Sequence, residues 1–406
     1  MRVTVEYECG DVVYYARDAP NTEGSFVLTL EYPKDRRVLE RLIADLPDKT
    51  LTISVESNKQ LSYPRTSRGY KIPVKTVRRG GLARLLAMAD GEERVVQIKP
   101  IRGDDDQKYS LKEILPLMLR ERWISRSSTS GDYVYHEKYL GLLEAIRKVY
   151  SQTIGLGEKI RMPHVLNIEQ LVKTGLCRSL PPECWLVSKF NNRCPQDNRA
   201  HLETFHVNAH MSAEELLPHT HLTECYLSHN CCMGLYPAIA EKNIIQLEKF
   251  TDLDSTSYRN EGGAANGRER LECFRRIETI LVGAATSIEE DMSKIGDNIE
   301  QFLLKLGIDT RTLRVSPWYG TEEGNGGYTL DWEARDNTSN TWIEIINLTR
   351  AGTTFTKPYR IKSGKALAHS GCSGMGLERM ATVFLMKHGL DFEDWPIAIK
   401  NTMANI

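Results

Sequence analysis

Two short stretches of this 406-residue chain carry side chains that could do chemistry together. The first is Tyr258-Arg259-Asn260-Glu261. In extended backbone, residues two apart project to one face, so Arg259 and Glu261 point the same way. A guanidinium pairs with a phosphate and a carboxylate accepts from an amine, so the pair could hold a nucleotide at two points. Taken alone, Arg-x-Glu in a strand is usually a surface ion pair. The second stretch is Gly374-Met375-Gly376-Leu377-Glu378-Arg379, running into Met380-Ala381-Thr382-Val383-Phe384-Leu385. Glycines allow close backbone approach, the apolar residues after them have helical spacing, and Arg379 falls in the first turn. Taken alone, this is a glycine turn before a packed helix with a salt-bridged Arg. A third stretch, Trp342-Ile343-Glu344-Ile345-Ile346-Asn347, reads as a buried strand with one carboxylate. A lone buried Glu needs a partner. That partner is either a bound cation or an ion-pairing base such as Arg360 or Lys362.

These groups need a scaffold. Val3, Val5 and Tyr7 alternate, as do Phe26, Leu28 and Leu30, and Leu51, Ile53 and Val55, the period of strands. Between them KDRRVLERLIADL reads as an amphipathic helix. A further helix starts near Ser110, where Ser110-x-x-Glu113 resembles a capping box. The polar RSSTSGD stretch near 126–132 marks the expected boundary between a small N-terminal α+β domain, residues 1–130, and a larger unit, residues 131–406. In the larger unit we expect a helix from about Tyr133 to Gln152 and a short strand ending at Pro163. Strands follow around 255–283, then a helix near 288–305, strands over 310–348, and a C-terminal helix after Gly374. A polar, Gly-rich loop from Gly262 to Gly267 joins two antiparallel strands, the second carrying Cys273-Phe274-Arg275-Arg276-Ile277-Glu278.

In combination these pieces are far more specific than singly. The Arg strand followed by Gly-x-Gly-Leu-Glu-Arg opening a helix resembles the second and third signature motifs of class II aminoacyl-tRNA synthetases. The helix, short strand and Pro163 upstream resemble the first motif, which builds that family's dimer interface. The resemblance covers 133–400. It implies an α+β fold, an antiparallel sheet flanked by helices, with a smaller N-terminal α+β domain. Gly262-Gly263-Ala264 through Arg268-Glu269-Arg270-Leu271 and on to Glu278 is similar to the methanogen-type seryl-tRNA synthetases. Their relatives, the amino acid:carrier-protein ligases, share the core.

The resemblance implies a site. Zn2+ would be held by a cysteine of Cys231-Cys232-Met233-Gly234-Leu235-Tyr236, by Glu278 and by Cys372. Cys232 is preferred because it stands four residues before an aromatic, and Cys231 remains open. ATP would meet Arg259 at the α-phosphate, Glu261 near the adenine and Arg379 toward the γ-phosphate. Glu344, with Asn347 as a weaker candidate, would hold ATP-bound Mg2+. The reaction implied is activation of a small amino acid, serine favoured, to an aminoacyl-adenylate. Transfer to tRNA follows. The alternatives are a ligase loading a carrier protein or other small acceptor, and a non-catalytic paralogue, against which the intact arginines argue.

Composition sets the remaining bounds. Lys and Arg number 53 against 54 Asp and Glu, so any nucleic-acid contact must come from a local patch. One exists: 57–89 holds no acid but carries Lys59, Arg65, Arg68, Lys71, Lys75, Arg78, Arg79 and Arg84, with Tyr63 and Tyr70 interleaved. Bases of this kind neutralise phosphates and aromatics stack on nucleobases; a solvated basic face is the plain alternative. Nine cysteines without a Cys-x-x-Cys pair, behind no signal-peptide pattern, lead us to expect a reducing, cytoplasmic setting. No run of about 18 apolar residues suggests a membrane span. His201, His206, His210, His219 and His221 read as surface or substrate-loop residues rather than ligands. Cys177, Cys184 and Cys194 read as packed thiols, and Trp185 and Phe190 as core.

Overall fold

The computed structural model describes residues 2–8, 25–31, 51–56 and 75–77 as backbone. It describes 107–127, 133–176, 184–191, 217–260, 270–315, 327–338 and 341–405 more fully. The N-terminal strands β1 (Arg2–Glu8), β2 (Ser25–Glu31), β3 (Leu51–Glu56) and β4 (Lys75–Val77) form an antiparallel sheet in the order β2-β1-β3-β4. The period-two stretches read from the sequence are the first three of these strands. The expected helix over KDRRVLERLIADL lies outside the described residues.

Helix α1 (Leu111–Arg120) begins where expected, with the Glu113 carboxylate accepting from the Ser110 N–H at 2.8 Å. The polar stretch near 126–132 falls between β5 (Ile124–Arg126) and β6 (Tyr133–Tyr135), which pair antiparallel. Leu111, Ile114 and Met118 of α1 belong to the main core, ahead of the expected boundary. The helix expected from Tyr133 starts later, as α2 (Glu137–Ile154), because Tyr133–Tyr135 is taken by the hairpin.

Three small strands, β8 (Val165–Asn167), β9 (Trp185–Phe190) and β10 (Thr220–Leu227), form a satellite sheet in the order β8-β10-β9, beside α3 (Ile168–Lys173). Trp185 and Phe190 are 39% and 51% exposed there, which corrects the expectation that they are core. On an outer strand of a three-stranded sheet, neither face of β9 is fully covered by the described residues.

The central sheet has seven strands. They are β7 (Glu158–Lys159), β11 (Glu248–Tyr258), β12 (Cys273–Gly283), β13 (Arg311–Val315), β14 (Tyr328–Asp336), β15 (Thr341–Gly352) and β18 (His369–Gly376). Their order is β13-β14-β15-β18-β12-β11-β7, antiparallel except for the β7–β11 edge. A small hairpin, β16 (Lys362–Ser363) with β17 (Ala366–Leu367), sits between β15 and β18.

Helix α4 (Leu235–Ala238) is one turn long; α5 (Ala285–Lys305), α6 (Leu377–His388) and α7 (Ile397–Met403) complete the α-helices among the described residues. Along α5 the buried residues are Ile288, Met292, Ile295, Ile299, Phe302 and Leu303, a stripe at helical spacing that lies on the sheet. Helix α6 is buried on nearly every side, which explains its apolar run. Helices α2, α5 and α6 thus cover one face of the sheet with the main core, while the opposite face carries a second apolar cluster, including Ile280, Val282 and Cys372, beside its polar groups. No described helix is long and apolar enough to cross a membrane.

Candidate active site

The strand register assembles the site. Reading across the sheet, Asp252 of β11 stands opposite Glu278 of β12, Glu278 opposite Gly374 of β18, and Gly374 opposite Asn347 of β15. Partners directly opposite share a face, and residues two apart along a strand share it too. Cys372 and Arg276 therefore join the same face as Glu278. The fourth element is the 3-10 turn Cys231–Gly234, which enters α4. A Cβ on Gly234 would come within 2.8 Å of Pro163 Cδ, so the turn lies close against the segment after β7.

This turn divides its two cysteines. The Cys231 thiol lies 3.1 Å from Ser257 Oγ, and burial pushes it up to about 11. Cys232 faces the other way: its sulfur, a carboxylate oxygen of Glu278 and the Cys372 sulfur lie within 4.8 Å of one another. All three are buried. The hydrogen bond with Cys372, then burial, hold the Cys232 thiol well above its ordinary range. Burial raises Glu278 as well, against the Arg276 guanidinium, which lowers it. Arg276 Nε donates to Glu278 Oε2 at 2.5 Å. Oε1 is buried without a nitrogen or oxygen donor.

Two thiols and a carboxylate crowded together without a cation are costly to ionise. A divalent metal would satisfy all three and fill the orphaned oxygen. Two sulfurs with one oxygen fit a borderline-soft ion and leave one tetrahedral position open. The protein therefore has a cluster of two cysteines and one carboxylate that could hold a metal ion.

Next to it opens a cleft of about 410 Å3, including space open to solvent. Arg259, Phe274, Arg276, Glu344, Asn347 and Arg379 are among its lining residues. Arg259 Nε donates to the His229 carbonyl at 3.3 Å, and the guanidinium sits 5.3 Å above the Phe274 ring. Arg379 Nη1 donates to the Glu344 carbonyl at 2.8 Å. The Glu344 carboxylate accepts from Asn347 Nδ2 at 3.2 Å. Arg360 pairs with Glu241, so the Arg360 alternative for Glu344 is not what the fold builds. A guanidinium offers a planar fork of donors that matches phosphate oxygens, so the two arginines suit the cleft to a phosphate-bearing ligand.

Of the sequence candidates, the fold brings Arg259, Glu344, Asn347 and Arg379 to one cleft and Cys232, Glu278 and Cys372 to one cluster beside it. Glu261 and the Gly262–Gly267 loop lie outside the described residues. So do the side chains of the basic stretch from Lys59 to Arg84, together with His201, His206, His210, Cys177 and Cys194. His221 Nδ1 lies 3.1 Å from Asn191 Oδ1, and no histidine joins a metal cluster among the described residues.

Sequence reasoning gave no role to four residues that the site uses. Arg276 bridges the cluster and the cleft, donating through Nη2 to Asn347 Oδ1 at 3.1 Å. Phe274 floors Arg259. Glu378 turns away from the cleft and accepts from Arg275 N at 2.9 Å and Nε at 3.0 Å, clamping α6 to β12. His229, 2% exposed, supplies the carbonyl for Arg259; burial and then the nearby Arg259 and Arg276 charges lower its ring to about 3. Only Gly374 left a trace in the sequence: a Cβ there would overlap the Arg276 guanidinium.

An antiparallel sheet with this motif order and this site is similar to that of the class II aminoacyl-tRNA synthetase superfamily. Within it, the chain is similar to the methanogen type-2 serine–tRNA ligases. It is 27% identical to the type-2 serine–tRNA ligase of Methanothrix thermoacetophila over 297 residues, covering 69% of this chain and 59% of that protein. With the type-2 serine–tRNA ligase of Methanococcoides burtonii it is 25% identical over 429 aligned positions, 99% of this chain and 77% of that one. The chain thus spans less than two thirds of the first of these relatives. No protein-family model matches it.

Among solved structures, the M. kandleri SerRS in complex with A. aeolicus tRNASec superposes with a TM-score of 0.69 at 16% identity, covering 100% of this chain and 96% of that one. The cytoplasmic serine–tRNA ligase of Naegleria fowleri in complex with AMP superposes at 0.58 and 15% identity, over 77% of this chain and 64% of that one. At these identities the likeness is one of fold.

Proposed function

We propose that this protein activates a small amino acid, serine, with ATP and passes the aminoacyl group to tRNA. One observation carries the reading: the two-thiolate, one-carboxylate cluster opens directly beside a cleft walled by Arg259 and Arg379 on the same sheet face. Serine and tRNA are supported by the names of the relatives. Acceptor binding is assigned to the N-terminal unit, residues 1–130, through Lys59, Arg65, Arg68, Lys71, Lys75, Arg78 and Arg79, and catalysis to residues 131–406.

Activation needs no protein nucleophile. The amino acid carboxylate attacks the α-phosphorus of ATP, the bond to the bridging oxygen breaks, and pyrophosphate leaves. The work of the protein is positioning and charge stabilisation. Arg259 meets the α-phosphate, where charge grows in the transition state, and Phe274 holds its guanidinium level. Arg379, fixed at the first turn of α6, meets the far phosphates. Glu261 accepts from the adenine. Glu344 and Asn347 would hold the Mg2+ that accompanies ATP. Cys232, Glu278 and Cys372 would hold Zn2+, which when bound would supply a Lewis-acidic position for the substrate amine. The relatives and the first motif around Pro163 support a homodimer, and the free thiols a reducing cytoplasm.

The test is direct. The protein is incubated with ATP and labelled serine, glycine, alanine or threonine, and pyrophosphate exchange is measured; total tRNA is then added. Serine-dependent exchange followed by acylated tRNA is expected. Exchange without tRNA charging would move the acceptor to a carrier protein or small molecule. Absence of exchange with every amino acid would remove the reading.

A further inference from the structure

We infer that Arg276 is a positioning residue that aims Glu278 at the metal and ties the metal end of the site to the nucleotide cleft. The inference rests on the metal and nucleotide reading above and goes beyond it, because it assigns work to a side chain that neither group of candidates includes.

Arg276 is 7% exposed, which is rare for an arginine without a task. Its guanidinium has two anchors on different strands: Nε donates to Glu278 Oε2 and Nη2 to Asn347 Oδ1. The first contact uses one edge of the carboxylate. The other oxygen, Oε1, is left buried without a nitrogen or oxygen donor, with the thiols of Cys232 and Cys372 within 4.8 Å of the carboxylate. A buried carboxylate held through one oxygen has restricted rotation, so the second oxygen is presented over a narrow range of directions. Outer partners of this kind orient metal ligands and raise affinity.

The second contact reaches Asn347, which also binds the Glu344 carboxylate. One planar group therefore spans both ends of the site. The backbone makes room for it: Gly374 stands between Glu278 and Asn347 in the register, and any Cβ there would overlap the guanidinium. Burying such a pair gains little stability over an apolar pair of the same size. Geometry is the better reason for its presence. A lysine could satisfy Glu278 as a point charge but lacks the fork that reaches Asn347 at the same time.

The consequence is coupling. If Arg276 has one placement when the metal fixes Glu278, and that placement also fixes Asn347, then each ligand favours the other by the same factor. In the parent, Zn2+ should tighten the binding of a non-hydrolysable ATP analogue about five-fold or more. Arg276→Gln should weaken Zn2+ binding about 10- to 100-fold. Arg276→Lys should lose less Zn2+ affinity, yet bind the analogue equally with and without metal.

The experiment uses the full chain. Zn2+ affinity is measured by chelator competition and analogue affinity by calorimetry, on metal-loaded and metal-stripped protein. Zn2+ binding by Arg276→Gln within two-fold of the parent would overturn the inference, as would an undiminished metal effect on analogue binding in Arg276→Lys. Should the buried substitutions not fold, Asn347→Ala removes the cleft-side anchor, together with the Asn347–Glu344 hydrogen bond, and leaves the Arg276–Glu278 contact in place. It should abolish the metal effect on the analogue, and a retained effect would overturn the inference as well. A parent that takes up no Zn2+ would instead remove the metal reading, and this inference with it.

Discussion

The two ends of the site share a sheet face but are built on opposite principles. The metal end is dry: Cys232 and Glu278 are fully buried and Cys372 is 8% exposed. Its thiols and carboxylate crowd acidic groups where ionisation is penalised, so the end is incomplete without a cation. The cleft end is open to solvent. Arg259 and Arg379 hydrogen-bond to carbonyls, Arg259 also sits over a ring, and both line the cleft. One end has the donors for a small ion, and the other has the room and the arginines for a larger anion.

Four perturbations would break or sharpen this contrast. The largest effect is expected from Arg259→Ala, which should lower amino-acid-dependent pyrophosphate exchange about 10^3-fold, on the order of 4 kcal/mol of transition-state stabilisation. Its zinc content, read by metal analysis, should equal the parent's. Exchange near the parent rate would strike Arg259 from the site. Cys372→Ala attacks the other end. Bound zinc should fall to roughly a tenth or less and exchange about 100-fold, while nucleotide still binds. Freshly purified parent protein that contains no zinc would undo the ligand assignment.

The third concerns the joint between the ends. His229 is buried three residues before Cys232 and its folded-state value, about 3, lies below the ordinary 6.5. A histidine kept neutral by the fold contributes stability that is present above about pH 6.5 and lost as pH falls toward about 3. Urea unfolding should therefore show a slope of up to about 1.4 kcal/mol per pH unit in that window. His229→Asn should flatten it, and an unchanged slope would assign the acid sensitivity elsewhere. The smallest effect is expected from Phe274→Leu. Loss of the ring under Arg259 removes about 0.5–1 kcal/mol, a two- to five-fold rise in KM for ATP with zinc content unchanged. A loss of zinc in this variant would mean that the ends are less separable than the geometry indicates.

The cleft was more legible than the cluster. Arg259 and Arg379 stand in short motifs whose spacing reports a strand and a helix start, and both elements formed: β11 ends at Tyr258 and α6 begins at Leu377. The cluster draws on residues 232, 278 and 372, which are far apart in the chain, and only a family resemblance joined them. The choice between Cys231 and Cys232 was open in the sequence because adjacent residues carry the same chemistry. The tight turn decided it by pointing Cys231 at Ser257. Trp185 and Phe190 misled for a related reason: aromatic strand residues are core or surface according to what covers them, which a local pattern does not contain.

By itself, the sequence marked the main strands and helices and the order of its motifs, because strand and helix periods and glycine-marked turns are local properties; the class of fold and the residues expected to meet a nucleotide came from the family resemblance those motifs carry. Tertiary structure alone decided how the strands align. That register placed Glu278, Gly374 and Asn347 in one row and laid Arg276 across the row. Register is set by long-range pairing and by which face of each strand is buried. A residue such as Arg276, whose partners lie on different strands, acquires its role only when those strands meet.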